Sequence, residues 1–183
     1  MKTTLLSVDR LNNHIYSFNL SKPDNFRYVA GQFAEITLLG SPEENNKRWF
    51  TLSSAPSEKV LTFTTKTPSQ KSAFKTALEE LTPGSELEIS QPLGDFTLPK
   101  LTSIPIVGLS GGMGITPFRS MYIESLNSQE KRNLSLFSSF RTLDDVIFDD
   151  VSAPLGKEFH LYVDERINLS DVLGATEDIN LTY

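Results

Sequence analysis

The sequence contains no cysteine, so it forms no disulfide and offers no thiolate to zinc or to an iron–sulfur cluster. Any iron–sulfur partner therefore lies outside it. Only two histidines, His14 and His160, are present, and neither has a partner at ligand spacing, so no metal site is expected. Basic residues are in deficit: 17 Lys and Arg against 23 Asp and Glu leave a net charge of -6. That balance argues against general nucleic-acid binding, which needs a dense field of cations to displace counterions. No apolar run approaches the ~20 residues of a membrane span. The opening Met1-Lys2-Thr3-Thr4-Leu5-Leu6 is cut by Asp9, Arg10 and Asn12 too early for a signal peptide. A cytoplasmic location is the expectation.

What is present is ordinary core material, with 12 Phe and 5 Tyr in 183 residues and a hydrophobic share of 38%. The first hundred residues alternate like short strands separated by turns. Leu5 to Val8 leads to an Asn12-Asn13 turn, and His14 to Leu20 and Phe33 to Leu39 alternate on either side of Gly31. After a polar loop from Gly40 to Lys47, strands are predicted at Trp49 to Leu52, Val60 to Lys66 and Glu86 to Ile89. One helix starts near Ser72, carries Phe74, Leu78 and Leu81, and stops at Pro83-Gly84. Strands at this spacing suggest a small closed barrel without exposed edges.

After Pro99 the rhythm changes to alternating β and α, which predicts a parallel sheet. Strands are expected at Ile104 to Leu109, Leu134 to Phe140, Phe159 to Val163 and Ile179 to Tyr183. Helices are expected from Thr116 to Leu126 and, as short ones, at Leu143 to Phe148 and Leu169 to Leu173. The expected division is therefore residues 1–99 and 100–183.

Two segments carry chemistry. In Lys47-Arg48-Trp49-Phe50-Thr51-Leu52 a cation, an aromatic and a hydroxyl offer a phosphate clamp, a flat surface and a hydrogen-bond donor. Strand alternation puts Arg48 and Phe50 on one face and Trp49 and Thr51 on the other, so joint action at one ligand requires the strand to bend or end there. The bland alternative is an edge strand with an exposed Arg and a buried Phe. In Gly108-Leu109-Ser110-Gly111-Gly112-Met113-Gly114-Ile115-Thr116-Pro117 a buried strand runs through glycines into a helix whose first turn holds proline. Free N–H groups and the helix dipole at such a junction favour a pyrophosphate. The same turn also serves in purely structural roles, and it departs from the usual Gly-x-Gly-x-x-Gly.

Together the two segments resemble the ferredoxin–NADP reductase family. Arg48-Trp49-Phe50-Thr51 is similar to that family's Arg-x-Tyr/Phe-Ser/Thr flavin motif, and Gly111 to Pro117 to its Gly-Gly-Thr-Gly-Ile-Thr-Pro nicotinamide motif. Gly31-Gln32-Phe33, Ser72-Ala73-Phe74-Lys75, Pro83-Gly84 and Pro92-Leu93-Gly94-Asp95-Phe96 fall in family order between them. The resemblance implies a six-stranded antiparallel Greek-key FAD-binding barrel, then a shortened α/β domain for NAD(P)H with a parallel sheet. It implies contacts to FAD from Arg48, Trp49, Phe50, Thr51, Thr65, Lys66 and Ser72. Arg48 would hold the pyrophosphate, Phe50 would pack on the flavin, and Thr51 would sit near flavin N5. For Lys66 a solvated strand-end lysine stays open. Gly111, Gly112, Met113, Gly114, Ile115 and Thr116 would cradle the nicotinamide nucleotide, with Thr116 beside the ring. Ser139 and Arg141 would read the adenosine ribose or its 2′-phosphate, an ordinary solvated Arg141 being the other reading. Electrons would pass to a ferredoxin-like protein, an oxygenase, a quinone or a ferric complex.

The sequence departs from the family where it ends, at Tyr183, before a Cys-Gly-Pro motif and last helix; the Leu161 to Asn168 segment is also short. Met113 replaces the family's more usual small or hydroxyl residue; a flexible thioether there either fills space without effect or alters nicotinamide entry, and both readings stay open. Two rival readings follow. One is a non-catalytic flavin-binding or regulatory module. The other is a serine hydrolase, since Gly108-Leu109-Ser110-Gly111-Gly112 satisfies Gly-x-Ser-x-Gly, with Asp149 or Asp150 and His160 following in the required order.

Overall fold

The computed structural model describes residues 1–40, 46–67 and 69–177. The predicted strand at Ile179 to Tyr183 and most of the loop after Gly40 lie outside the described residues. Six strands form the first sheet: β1 (Lys2–Arg10), β2 (Ile15–Ser21), β3 (Phe33–Leu38), β4 (Lys47–Thr51), β5 (Val60–Lys66) and β6 (Glu86–Ile89). Their order is β4-β3-β6-β1-β2-β5, with every pairing antiparallel. The two end strands are joined by the Leu52↔Phe63 bridge and by Ser53 N–H to the Thr62 carbonyl, 2.8 Å, which close the sheet on itself. Alternation drives this closure: Leu5, Phe18, Leu20, Ala34, Ile36, Leu61, Phe63, Leu87 and Ile89 all turn inward and are buried. Helix α1 (Ala73–Glu79) caps one end with Phe74 and Leu78.

The second sheet is parallel, in the order β7 (Ile106–Gly111), β8 (Leu134–Phe140), β9 (Phe159–Val163). Helix α2 (Thr116–Asn127) crosses from β7 to β8, as a parallel connection demands. It lies close to the sheet because Gly108 carries no side chain. A Cβ there would stand 2.6 Å from the Phe118 ring. The architecture is thus a six-stranded antiparallel barrel followed by a three-stranded parallel α/β unit.

The strands at Val60–Lys66, Glu86–Ile89, Leu134–Phe140 and Phe159–Val163 fall where the sequence predicts them. The short helix expected over Leu143 to Phe148 does not. Only a single 3-10 turn forms, at Leu143–Asp145, and the helix, α3, follows at Asp149–Leu155. Val146-Ile147-Phe148 are consecutive bulky residues with no helical spacing, whereas Asp149 and Asp150 suit a helix's positive N-terminus. Pro154, inside α3, hides that helix from a sequence reading. The last described helix, α4 (Leu169–Glu177), runs longer than Leu173.

The two units share a core and a hydrogen-bonded seam. Ile15 and Ala30 of the barrel are buried with Ile115, Phe118 and Met121 at and after the glycine segment. The turn after β4 is the docking platform for α2. The Arg119 guanidinium donates to the Ser53 carbonyl (2.7 Å) and pairs with Glu58 (3.0 Å) and Asp150 (2.7 Å). Ser120 Oγ donates to the Ser54 carbonyl at 2.6 Å, and Glu124 accepts from Ser57 N–H at 2.8 Å. Gly31 makes a close approach possible: at φ +99° it admits the Phe96 carbonyl where a Cβ would lie, 2.1 Å away.

Candidate functional site

The barrel is incompletely zipped, and its opening gathers part of the predicted site. Continuing the antiparallel register from Leu52↔Phe63 would set Phe50 opposite Thr65 and Arg48 opposite Thr67. Instead β4 and β5 stand at the two ends of the strand order and, among the described residues, pair only near that bridge; the unpaired stretch between them is a mouth with α1 packed beside it through Phe74. Arg48 and Phe50 face this mouth. Phe50 is half-buried, its ring stacked on Phe63 (4.7 Å between centroids) and tilted against Phe74 (5.9 Å). The Arg48 guanidinium lies 5.4 Å from the centre of the Phe74 ring and, among the described residues, donates to its neighbour's carbonyl, Lys47 O, at 2.7 Å. Thr65 is buried and accepts a hydrogen bond from Lys75 Nζ. Ser72 caps α1, its Oγ accepting from Lys75 N–H at 3.3 Å and keeping its own proton to donate.

Lys75, not chosen from the sequence as a site residue, completes this group. Its ammonium stands 5.1 Å from the centre of the Phe50 ring. Burial, and then the nearby Arg48 charge, push its pKa down to about 8, against the opposing pull of Glu79. Neither Arg48 nor Lys75 forms an ion pair among the described residues. Glu79, on the same helix as Lys75, is bonded to Lys71. Two cations with no ion pair among the described residues, set beside an aromatic ring, make an anion-attracting mouth with a flat wall.

Trp49 and Thr51 point the other way. They line an outer apolar recess with Phe33 and Leu93, where Trp49 meets Phe33 edge to face at 5.4 Å. The pairing of β4 with β3 runs without a register shift to Thr51, so Phe50 and Thr51 stay on opposite faces of the strand.

Lys66 is likewise on the other face of β5 from Thr65. Its Nζ is bonded to Asp145 at 2.8 Å, and the same carboxylate takes His14 Nε2 at 2.5 Å and the Thr142 hydroxyl at 3.1 Å. These hydrogen bonds, that from Lys66 foremost, hold the Asp145 carboxyl well below the usual carboxylate range despite its burial. Lys66 therefore leaves the Arg48 mouth and enters a crevice of about 360 Å³ lined by Ile15, Gly112, Met113, Arg141 and Asp145. The residues expected at the nicotinamide nucleotide start here. At Gly112, φ +49°, β7 turns into a 3-10 turn (Gly112–Ile115) and then α2, whose start no side chain caps. A Cβ added to Gly111 or Gly112 would meet nothing within 4 Å, so the loop's surface is open to a ligand rather than filled by protein. Thr116 is buried and its hydroxyl donates to the Met113 carbonyl at 2.9 Å. Ile115 is fully buried in the second core, and Gly114 lies within the turn. Ser139 donates to the Glu165 carbonyl at 2.5 Å.

The arrangement is a pair of neighbouring sites divided by the end of β5. On one side are Arg48, Phe50, Thr65, Ser72 and Lys75; on the other are Lys66, Arg141, Gly112 and Met113. The donor set fits two phosphorylated nucleotides: guanidinium, ammonium and hydroxyl groups in the mouth, and at the glycine loop open backbone with Arg141 and with Lys66, which shares its charge with the Asp145 carboxylate.

No protein-family model matches the chain. Its sequence is 28% identical over 162 residues to the reductase component of propane 2-monooxygenase from Mycolicibacterium goodii, covering 86% of this chain and 45% of that protein. It is 31% identical over 134 residues to the glycine betaine monooxygenase reductase subunit of Chromohalobacter salexigens, covering 73% and 36%. The fold superposes on a ferredoxin NADP+ reductase from Neisseria gonorrhoeae with bound FAD and NADP at a TM-score of 0.77 and 19% identity, covering 98% of this chain and 77% of that one. The chain belongs to the ferredoxin reductase-like family. It spans less than half the length of these curated relatives.

Membership of the ferredoxin reductase-like family agrees with the barrel and parallel sheet, and the geometry removes the hydrolase alternative. Ser110 lies within β7, not on a sharp turn, and its hydroxyl is buried against Ser138 Oγ at 2.7 Å. His160 stacks on Phe137 at 4.0 Å, and the register places both on the face of the sheet opposite Ser110 and Ser138. Among the described residues no helix is long and apolar enough to cross a membrane.

Proposed function

We propose that this ferredoxin reductase-like chain binds FAD at the mouth between β4 and β5, binds NAD(P)H at the glycine loop, and passes reducing equivalents from the second to the first. The observation that carries the reading is the placement of two cations that form no ion pair among the described residues, Arg48 and Lys75, around the Phe50 ring at an unzipped barrel edge, one strand away from an open glycine loop. Arg48 and the Ser72 hydroxyl would hold the diphosphate, and Phe50 would form the wall for the ring system. Gly111 to Thr116 would seat the nicotinamide nucleotide, with Lys66 and Arg141 as its cations and Ser139 beside them. Residues 1–99 and 100–183 would be the two binding units. Bound flavin supplies the capacity to take a hydride and release single electrons. The chain's own part is to align two rings across the end of β5 and exclude water; the seam through Arg119 and Ser120 keeps that alignment.

The acceptor proposed is an oxygenase component, the partner class in the names of two relatives, with a ferredoxin-like protein, a quinone or a ferric complex as the other acceptors compatible with the same core. A cytoplasmic location belongs to the same proposal. Visible absorbance tests the reading. Purified protein mixed with FAD should retain the flavin spectrum through gel filtration, and NADPH or NADH added without oxygen should bleach it. Retained but unreduced flavin would favour the non-catalytic binding module instead, and no retained flavin would refute both.

A further inference from the structure

Lys75 stands where a ring stacked on Phe50 would have to go. Its ammonium lies 5.1 Å from the centre of the Phe50 ring and bonds to the Thr65 hydroxyl, while Phe63 stacks on the same ring at 4.7 Å. The half-buried Phe50 ring thus has both the ammonium and Phe63 against it in the free protein. The charged groups facing Lys75 are Arg48 from β4 and Glu79 from its own helix, and the polar partner from β5 is Thr65. Glu79 is bonded to Lys71, so Lys75 pairs with no carboxylate among the described residues. A half-buried cation repelled by a neighbouring guanidinium is costly until an anion arrives between the two.

We propose that Lys75 is a second phosphate ligand of the mouth and, before the nucleotide binds, the placeholder that covers the Phe50 ring. This rests on the FAD reading of the mouth. When a flavin nucleotide enters, its ring system takes the face of Phe50 that the ammonium covered, and the flexible lysine stem turns toward the diphosphate shared with Arg48. One movement frees the aromatic wall and brings the cation to its anion. The mouth would consequently select phosphorylated flavins over riboflavin. Nucleotide binding would also draw a proton onto the amine, whose pKa is held down to about 8 in the free protein.

The test compares wild type, Lys75→Met and Lys75→Arg as apoproteins, each titrated at pH 7 with FAD and separately with riboflavin, which lacks phosphate. Lys75→Met removes the charge and keeps the stem. It should weaken FAD by about tenfold, the usual scale of one charge-assisted hydrogen bond in a partly exposed site, while riboflavin binds as well as before or more tightly. Lys75→Arg should restore most of the preference for FAD. Between pH 7 and 9, FAD binding to wild type should take up protons, measured in weakly buffered solution, and the Met variant should take up fewer. Unchanged FAD affinity in Lys75→Met, or equal losses of FAD and riboflavin, would overturn the proposal and leave the flavin site standing. Wild type binding neither compound would overturn the flavin reading and the proposal with it. Matching circular dichroism and melting of the three apoproteins separates a ligand effect from misfolding.

Discussion

Replacing Arg48 with alanine should separate binding from folding. In the free protein the guanidinium holds one hydrogen bond to an adjacent carbonyl and stands 5.4 Å over the Phe74 ring, without an ion pair among the described residues. Removing it forfeits a cation–aromatic contact of about 0.5–1 kcal/mol at this exposed position. The loss is offset in part, because Arg48 is the like charge that depresses Lys75. Net stability of the apoprotein should therefore change by less than about 1 kcal/mol. Toward a diphosphate the same fork makes two charge-assisted hydrogen bonds, together worth roughly 1.5–3 kcal/mol, or about 10- to 100-fold in FAD dissociation constant. The assay is a titration of apoprotein with FAD, followed by flavin fluorescence, beside a denaturant melt of the same samples. With Arg48 gone, the Lys75 amine should also titrate above its wild-type value of about 8. An FAD dissociation constant within twofold of wild type would refute the site assignment. A collapse of the apoprotein melt would show that Arg48 serves the fold.

Three further outcomes follow from contacts elsewhere. Arg119→Met leaves Glu58 and Asp150 without their cation and the Ser53 carbonyl without its donor; the denaturant midpoint should fall by an amount equivalent to about 2–4 kcal/mol, and no measurable fall would remove the seam as a source of stability. Gly31→Ala forces a Cβ onto the Phe96 carbonyl at a left-handed φ and should cost upward of about 2 kcal/mol or abolish soluble expression, whereas a neutral melt would contradict the close approach. The Asp145 carboxyl titrates lower in the folded chain than its ordinary 3.8, so its stabilising effect is complete above about pH 4 and is lost as pH falls below that value; Asp145→Asn should flatten the acid limb of the stability profile, and an unchanged limb would count against the Lys66 and His14 contacts.

The strands are legible because barrel strands alternate between core and surface while the parallel strand Leu134–Phe140, buried on both faces, is bounded by its apolar ends. Val60–Lys66 and Leu134–Phe140 begin and end where the apolar pattern does. Side-chain direction on β4 was legible too, since the period of two assigns Arg48 and Phe50 to one face and Trp49 and Thr51 to the other. Lys66 misled for a related reason: adjacent residues Thr65 and Lys66 resemble one motif in line, but one step along β5 moves a side chain to the opposite face, and Asp145, 79 residues later, captures the ammonium. In the sequence Lys75 stands out only as the last residue of the Ser72-Ala73-Phe74-Lys75 landmark. Its significance depends on Phe50 and Thr65 arriving from two strands, and no local pattern announces that. Helix α3 was missed because Pro154 opposes a helical reading, while tertiary burial of Val151 favours one.

The seam between the two units explains how motifs separated by about sixty residues can serve one reaction. Helix α2, which begins at the glycine loop, is fixed to the barrel chiefly through backbone carbonyls of the turn that ends the Arg48 strand: Ser53 accepts from Arg119, and Ser54 accepts from Ser120 and from the Tyr28 hydroxyl. The glycine loop and β4 are thus referenced to the same few peptide units, with little slack in between, since each of these carbonyls is held at 2.6–2.9 Å. A ligand seated on Arg48 and one seated on Gly112 would inherit that fixed relation. Carbonyl acceptors are the same for every amino acid, so the serines of Ser53-Ser54-Ala55-Pro56 give no hint of this role; it is the donors, Arg119 and Ser120 on the first turns of α2, that record it. The barrel's incomplete zipping follows from the same seam: the turn is bound to α2 and to Thr62 at once, which anchors β4 to β5 at Leu52 and leaves the rest of β4 free to diverge into the mouth where Arg48 and Phe50 lie.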